Sequence, residues 1–234
     1  MVKFLIASND EDEINQYKYI FKNEYNIDLL SPKDIGLEFE CKEKSTLYRS
    51  NALMKICELE KMLECFSEYK ESIIIGTCSG IEIEFLKDGP GVHSKTYLGE
   101  DKTYKDRMKY ILHKMEKAYG KERKAKYVTY IFMHDNRSIR KYKSNDNARY
   151  GCSNEYMDFM VNEKIENGNE FSSKYDPIIY IEDKRTTFSN LDIKDKVKLS
   201  KKSNILREIM IYSCPELVQY LFDKNTEGVL YSAT

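Results

Sequence analysis

From Ile73 to Leu86 the chain reads Ile-Ile-Ile-Gly-Thr-Cys-Ser-Gly-Ile-Glu-Ile-Glu-Phe-Leu, and shortly afterwards Gly89-Pro90-Gly91-Val92-His93-Ser94. No other stretch limits the possible folds as tightly. A short aliphatic run bounded by glycine is the pattern of a buried strand, and the alternation from Ile81 to Phe85 is that of a half-buried one. The small residues between them predict a turn, and Gly89-Pro90-Gly91 predicts a second. Strand, small-residue turn, strand displays the tip of the turn at a sheet edge. Here the tip carries Thr77, Cys78 and Ser79, with no carboxylate among them.

Around this stretch, strand and helix patterns alternate. Residues 2–7 are strand-like, and Asn9 is placed to cap a helix that opens on Asp10, Glu11, Asp12 and Glu13. These carboxylates complement the helix dipole and would repel a phosphate from that helix end. Ile14, Tyr17 and Phe21 give the helix an apolar stripe. A short strand over 26–30, a charged connection over 33–45 and a long helix over 46–66 precede the central stretch. Glu82 and Glu84, two apart on a strand, share a face that is solvated or, alternatively, binds a cation. After it come an amphipathic helix over 101–119, a basic connector over 121–126 and a strand over 127–133. The turn at 134–137 leads to a returning strand over 138–143, a loop over 144–154 and a strand over 155–165. An apolar run at 178–181 leads to a lysine-rich helix over 192–212 and a last short helix beginning near Pro215. The order implies an α/β fold: a long mixed β-sheet flanked by helices, one domain over 1–212, with 213–234 packing on it as a C-terminal helix and tail.

The 234 residues suffice for a sizeable core. With a net charge of −1 and both signs interspersed, neither nucleic acid nor a membrane is expected as partner. The six cysteines form no C-x-x-C pair, which argues against a structural zinc site and for a reduced, cytoplasmic protein. The amino-terminal apolar residues read as a strand, and no run approaches membrane-spanning length.

Several segments, in order, resemble those of the inosine triphosphate pyrophosphatase family, which hydrolyses non-canonical purine nucleoside triphosphates to monophosphate and pyrophosphate. Ala7-Ser8-Asn9 is similar to the family's T-G-N, Ser50-Asn51-Ala52-Leu53-Met54-Lys55 to its E-N-A-x-x-K, and Cys78-Ser79-Gly80-Ile81 to its D-D-S-G-L region. Gly89 to Ser94 is similar to A-P-G-V-x-S, Tyr175-Asp176-Pro177 to the end of F-G-Y-D-P, and Thr187 to Leu191 to T-F-A-E-L. Lys196 and Ser200-Lys201-Lys202 fall where the family has a lysine and S-H-R. The resemblance covers residues 2–210. It implies two lobes around a nucleotide cleft, a homodimer, and Mg²⁺ held on the triphosphate by carboxylates, one carboxylate activating water.

The same alignment places Ser50 where the family has the glutamate of E-N-A, and Thr77 and Cys78 where it has paired aspartates. Asp12 stands for a phosphate-contacting lysine, Ser173 for the aromatic that packs on the base, and Lys174 for the following glycine. Thr96 falls near the position of an arginine. Asn9, Lys55, Ser79, Tyr175, Asp176, Lys196, Ser200, Lys201 and Lys202 remain as nucleotide-binding candidates, and Ser50, Thr77 and Cys78 as degenerate catalytic positions. Three readings follow. One is a relative with lost or weak catalysis that binds a purine nucleotide or a protein partner. Another is an active Mg²⁺-dependent pyrophosphatase with a rearranged metal site, drawing on Glu82, Glu84, Asp10 or Asp12. The third is a different enzyme with Cys78 as nucleophile and His93 as base, which needs a thiol of lowered pKa.

Overall fold

The computed structural model describes residues 2–135, 150–168 and 174–213. An eight-stranded mixed sheet runs through them. Its strands are β1 (Phe4–Ile6), β2 (Leu29–Leu30), β3 (Ile73–Ile83), β4 (Gly89–Pro90), β5 (Lys124–Asp135), β6 (Tyr150–Val161), β7 (Ile179–Ile181) and β8 (Thr186–Thr187). The spatial order is β2-β1-β3-β5-β6-β7-β8, with β4 pairing β3. β1 runs parallel to β2 and β3, and every other pairing is antiparallel. The helices are α1 (Glu11–Tyr25), α2 (Tyr48–Leu63), α3 (Tyr104–Lys114), α4 (Ile193–Leu199) and α5 (Lys202–Ser213).

Each helix takes its place through an apolar stripe. On α2 the buried residues Ala52, Ile56, Leu59 and Leu63 recur at helical spacing and pack with Leu5, Ile74, Cys78 and Phe132 on one face of the sheet. Burying such an aliphatic side chain contributes about 1.5–3 kcal/mol each. The opposite face carries two separate apolar clusters. One joins Ile14, Tyr17, Ile20 and Phe21 of α1 to Ile73, Ile75, Ile131 and Met133 and to Ile205, Leu206 and Ile209 of α5. The other joins Ile81, Ile83, Ala125 and Phe159 to Met108 and Ile111 of α3 and to Tyr175, Ile178 and Phe188. These two clusters are the two lobes.

The predicted turn at residues 76–80 does not form. β3 runs unbroken from Ile73 to Ile83. Its glycines are there for close approach: a Cβ on Gly76 would run into the Ala52 carbonyl and stand 2.6 Å from Ile56 Cγ1. A Cβ on Gly80 would run into the Gly91 carbonyl and stand 2.9 Å from Ser94 Oγ. Glu84 has left the strand and begins a helical turn over Glu84–Leu86, so the shared face expected for Glu82 and Glu84 is absent. Glu82 instead accepts from the Tyr48 hydroxyl at 3.1 Å and pairs with Lys126 at 3.0 Å.

Other differences have local causes. The cap of α1 is Asp10, whose carboxylate accepts from Glu13 N at 3.1 Å, one residue after the expected Asn9. The basic connector hides Arg123, which is buried and donates to the carbonyls of Met115, Ala118, Val161 and Asn162. Residues 150–154, read as loop, are strand, because β5 supplies a full-length partner. The lysine-rich helix is two helices, broken at Lys201, whose φ of 54° is left-handed. The returning strand over 138–143, Ser173 and the helix from Pro215 lie outside the described residues. Among the described residues no helix is long and apolar enough to cross a membrane.

Candidate functional site

One face of β3 presents Ile73, Ile75, Thr77, Ser79, Ile81 and Ile83 in turn. The outer pairs belong to the two lobes. The polar pair in the middle marks the cleft between them, and Ser79 Oγ donates to Thr129 Oγ1 across the register at 3.2 Å. Ser79, Tyr127 and Met157 line its floor, Asp12, Glu13 and Gln16 of α1 with Lys202 of α5 one wall, and Lys174, Asp176 and Ser200 the other. The β1 side of β3 is also open here. β1 pairs only with residues 73–75 and β4 only with 82–83, and between them Lys55 Nζ donates to Thr77 O at 2.9 Å.

Glu13 is the carboxylate at the centre. It is buried and accepts from Thr77 Oγ1 at 2.6 Å and from Ser8 Oγ at 2.7 Å. Burial alone would raise its pKa. The ammonium groups of Lys55, Lys174 and Lys202, with the Thr77 hydrogen bond, outweigh burial and hold it at about 2. Lys202 is buried and donates to Gln16 Oε1 at 2.6 Å; burial pushes its pKa down to about 8 although Glu13 pulls the other way. Lys174 forms an ion pair with Asp10.

A second carboxylate, Glu43, reaches in from the segment before α2. Lys55 Nζ lies 3.1 Å from it and Lys95 Nζ 3.8 Å, and Cys78 Sγ donates to it at 3.3 Å. Cys78 is buried, and burial together with Glu43 drives its pKa well up. A thiol held in this way is no nucleophile, so the reading with Cys78 attacking and His93 as base is overturned. On the far wall Lys196 and Asp176 form an ion pair at 2.6 Å, both buried, with the Lys196 ammonium 5.3 Å from the Phe188 ring centroid.

The other candidates are spread more widely. Tyr175 is buried and donates its hydroxyl to Ser94 O at 2.7 Å. Ser200 lines the cleft with its Oγ donating to Val197 O. Asn9 donates to the Phe39 carbonyl. Ser50 lies in the first turn of α2, half-buried, and Lys201 is exposed outside the cleft lining. Sequence reasoning missed Glu13, Glu43 and Lys174 as site residues. Glu13 had a signal: with Tyr17 and Ile20 it falls on the buried stripe of α1, where a dipole-complementing carboxylate has no reason to be. Glu43 sits in a charged irregular segment and had none.

The model of the Ham1 family matches residues 4–212. The chain belongs to the Ham1 family. It is 24% identical over 209 residues to the dITP/XTP pyrophosphatase of Clostridium perfringens, covering 89% of this chain and 96% of that one. Against the Clostridium tetani protein of the same name the identity is 27% over 225 residues, covering 96% and 100%. The solved HAM1 protein from Coxiella burnetii superposes with a TM-score of 0.69 at 19% identity, over 89% of this chain and 96% of that one. The Staphylococcus aureus Ham1 protein gives 0.63 at 22%, over 89% and 97%. These two likenesses speak to the fold, and they match the mixed sheet and its flanking helices. The motif resemblance therefore led to the right family.

Proposed function

We propose that this Ham1-family chain binds a purine nucleoside triphosphate of the kind its dITP/XTP-hydrolysing relatives act on, with hydrolysis lost or weak. One observation carries the reading. The side chains where the resemblance expects paired aspartates, Thr77 and Cys78, are hydrogen-bond donors to Glu13 and Glu43, and both glutamates already have lysines as counter-ions. A magnesium ion takes six oxygen ligands in near-octahedral order. The residues here do not fit it: among the described residues no three His, Cys, Asp or Glu side chains converge, and Lys55 stands against the Thr77 carbonyl and Glu43. A carboxyl held at a pKa of about 2 is also a poor acceptor of a water proton near neutrality. The lysines that remain are suited to phosphate oxygens.

The presence of Glu13 and Glu43 beside the two substituted positions favours one second reading, an active pyrophosphatase whose carboxylates have migrated to other elements. Pyrophosphate release from ITP, XTP and dITP, at high protein concentration with Mg²⁺ or Mn²⁺, separates the two. Release no greater than in a protein-free control, with ITP or XTP binding retained in calorimetry, is the expected result. Metal-dependent release that Glu13→Gln abolishes would establish the second reading instead.

A further inference from the structure

Lys174 occupies a backbone position that a lysine has little reason to hold. Its φ is 46°, in the left-handed region that strains a residue with a Cβ and that glycine adopts freely. The resemblance puts glycine at this position. The turn is fixed from the next residue on, because Tyr175 is buried in the second lobe and bonded to Ser94 O. From that anchor the Lys174 side chain crosses the cleft to the first lobe. It pairs with Asp10, the residue that caps α1, and lines the cleft with Asp12, Glu13 and Lys202.

The charges explain what the lysine does there. Asp10, Asp12 and Glu13 all lie at the start of α1, on one wall. Without a cation, this wall repels the phosphates of a nucleotide. In a pyrophosphatase that uses magnesium, the metal supplies that cation. Here the ammonium of Lys174 faces the same carboxylates: Tyr127, Asp10 and Glu13 all favour its charge against burial, and it in turn helps to hold Glu13 ionised. A lysine is a compact point charge with three donors. It can neutralise the wall and still turn a proton toward a phosphate oxygen.

We propose that Lys174 is a resident counter-ion of the cleft, whose ammonium at Asp10 and Glu13 lets nucleotide phosphates bind without a divalent ion at that wall. The inference rests on the nucleotide-binding reading above. It requires three things. Nucleotide binding persists in a chelator, it depends on the charge at residue 174, and removing that charge frees Asp10 and Glu13 for a divalent ion.

The test is calorimetric titration of ITP and of XTP into the full chain in EDTA and in Mg²⁺, for wild type, Lys174→Gly and Lys174→Arg, with Mn²⁺ binding to each followed by electron paramagnetic resonance. Glycine suits the left-handed backbone, so Lys174→Gly is expected to keep its fold, checked by its thermal melt. The expected result is wild-type binding in EDTA, weakened about tenfold or more in Lys174→Gly and preserved in Lys174→Arg, with Lys174→Gly gaining Mn²⁺ binding that the wild type lacks. Wild-type binding that appears only with Mg²⁺ would overturn the counter-ion role and leave the nucleotide reading standing. So would a Lys174→Gly protein that binds in EDTA as the wild type does. Failure of the wild type to bind either nucleotide with or without Mg²⁺ would overturn the nucleotide reading, and this inference with it.

Discussion

The two walls of the cleft handle buried charge in opposite ways. On one, the Asp176 carboxylate and the Lys196 ammonium pair directly at 2.6 Å, both buried, with the ammonium 5.3 Å from the Phe188 ring centroid. On the other, Glu13 shares three lysines, and each of them has a further partner: Thr77 O and Glu43 for Lys55, Asp10 for Lys174, Gln16 for Lys202. A direct buried pair holds two elements together, here the turn at Asp176–Ile178 and α4. A shared network can release a donor to an incoming anion and keep its remaining contacts. Of the positions that match the family's motifs, Asp176 and Lys196 lie in this pair and Lys55 in the network. Glu13 and Lys174 line the cleft, and Glu43 holds Lys55 beside it.

Breaking the Asp176–Lys196 pair is the harshest test of this contrast. Lys196→Met leaves the Asp176 carboxylate buried without its ammonium, and removing one member of a buried ion pair costs about 3–5 kcal/mol. Urea unfolding at neutral pH should show that loss, and the double variant Asp176→Leu with Lys196→Met should recover most of it. If the single variant is as stable as the wild type, the pair is not structural and the comparison fails.

Thr77→Asp tests the network on its own ground. It restores a family-like carboxylate, but it replaces the hydroxyl that donates to Glu13 at 2.6 Å with a second negative charge. We expect a loss of about 2–4 kcal/mol near neutral pH. Two carboxyls at this distance share a proton readily, so the deficit should shrink as pH falls toward about 5, and Glu13→Gln in the same chain should relieve it at neutral pH. A Thr77→Asp protein with wild-type stability at every pH would mean that Glu13 has room to move away. On this expectation, restoring the aspartates that the resemblance places at 77 and 78 takes a change in α1 as well as in β3.

The fold was legible in the sequence because it is written in periodicity. The stripe of α2, the aliphatic residues of β3 and the β-favouring residues of β5 all announce themselves, and the ordered motifs led to the family. The turn at 76–80 was misread because glycine in a strand and glycine in a turn look alike until its neighbour is known, and the neighbours of Gly76, Ala52 and Ile56, lie on another element. The candidate site was less legible for the same reason. A motif shows which residue stands at a position, whereas Thr77 and Cys78 matter here through carboxylates 64 and 35 residues away. Of these only Glu13 left a trace, on the wrong side of an amphipathic helix.

The gentlest distinction between the walls is their response to alkaline pH. Lys202 is charged at neutral pH against the preference of its buried surroundings, which lower its pKa from 10.5 to about 8. In the unfolded chain it keeps its proton up to the ordinary value, so between pH 8 and 10.5 the native state binds fewer protons than the unfolded one. Stability must therefore rise with pH through that window, by up to about 3 kcal/mol from this group before the tyrosines and other lysines are counted. Lys202→Met should remove the rise, and below pH 8 it should make the protein about 1–3 kcal/mol more stable than wild type. On the nucleotide-binding reading, the same substitution should weaken ITP binding, because it removes an ammonium from the cleft lining. Urea midpoints of wild type and variant between pH 7 and 10.5, set beside their ITP affinities, give both readings. A variant less stable than wild type at pH 7 would place Lys202 with Lys196, as a partner in a structural pair, and would leave Lys55 and Lys174 as the donors of the network.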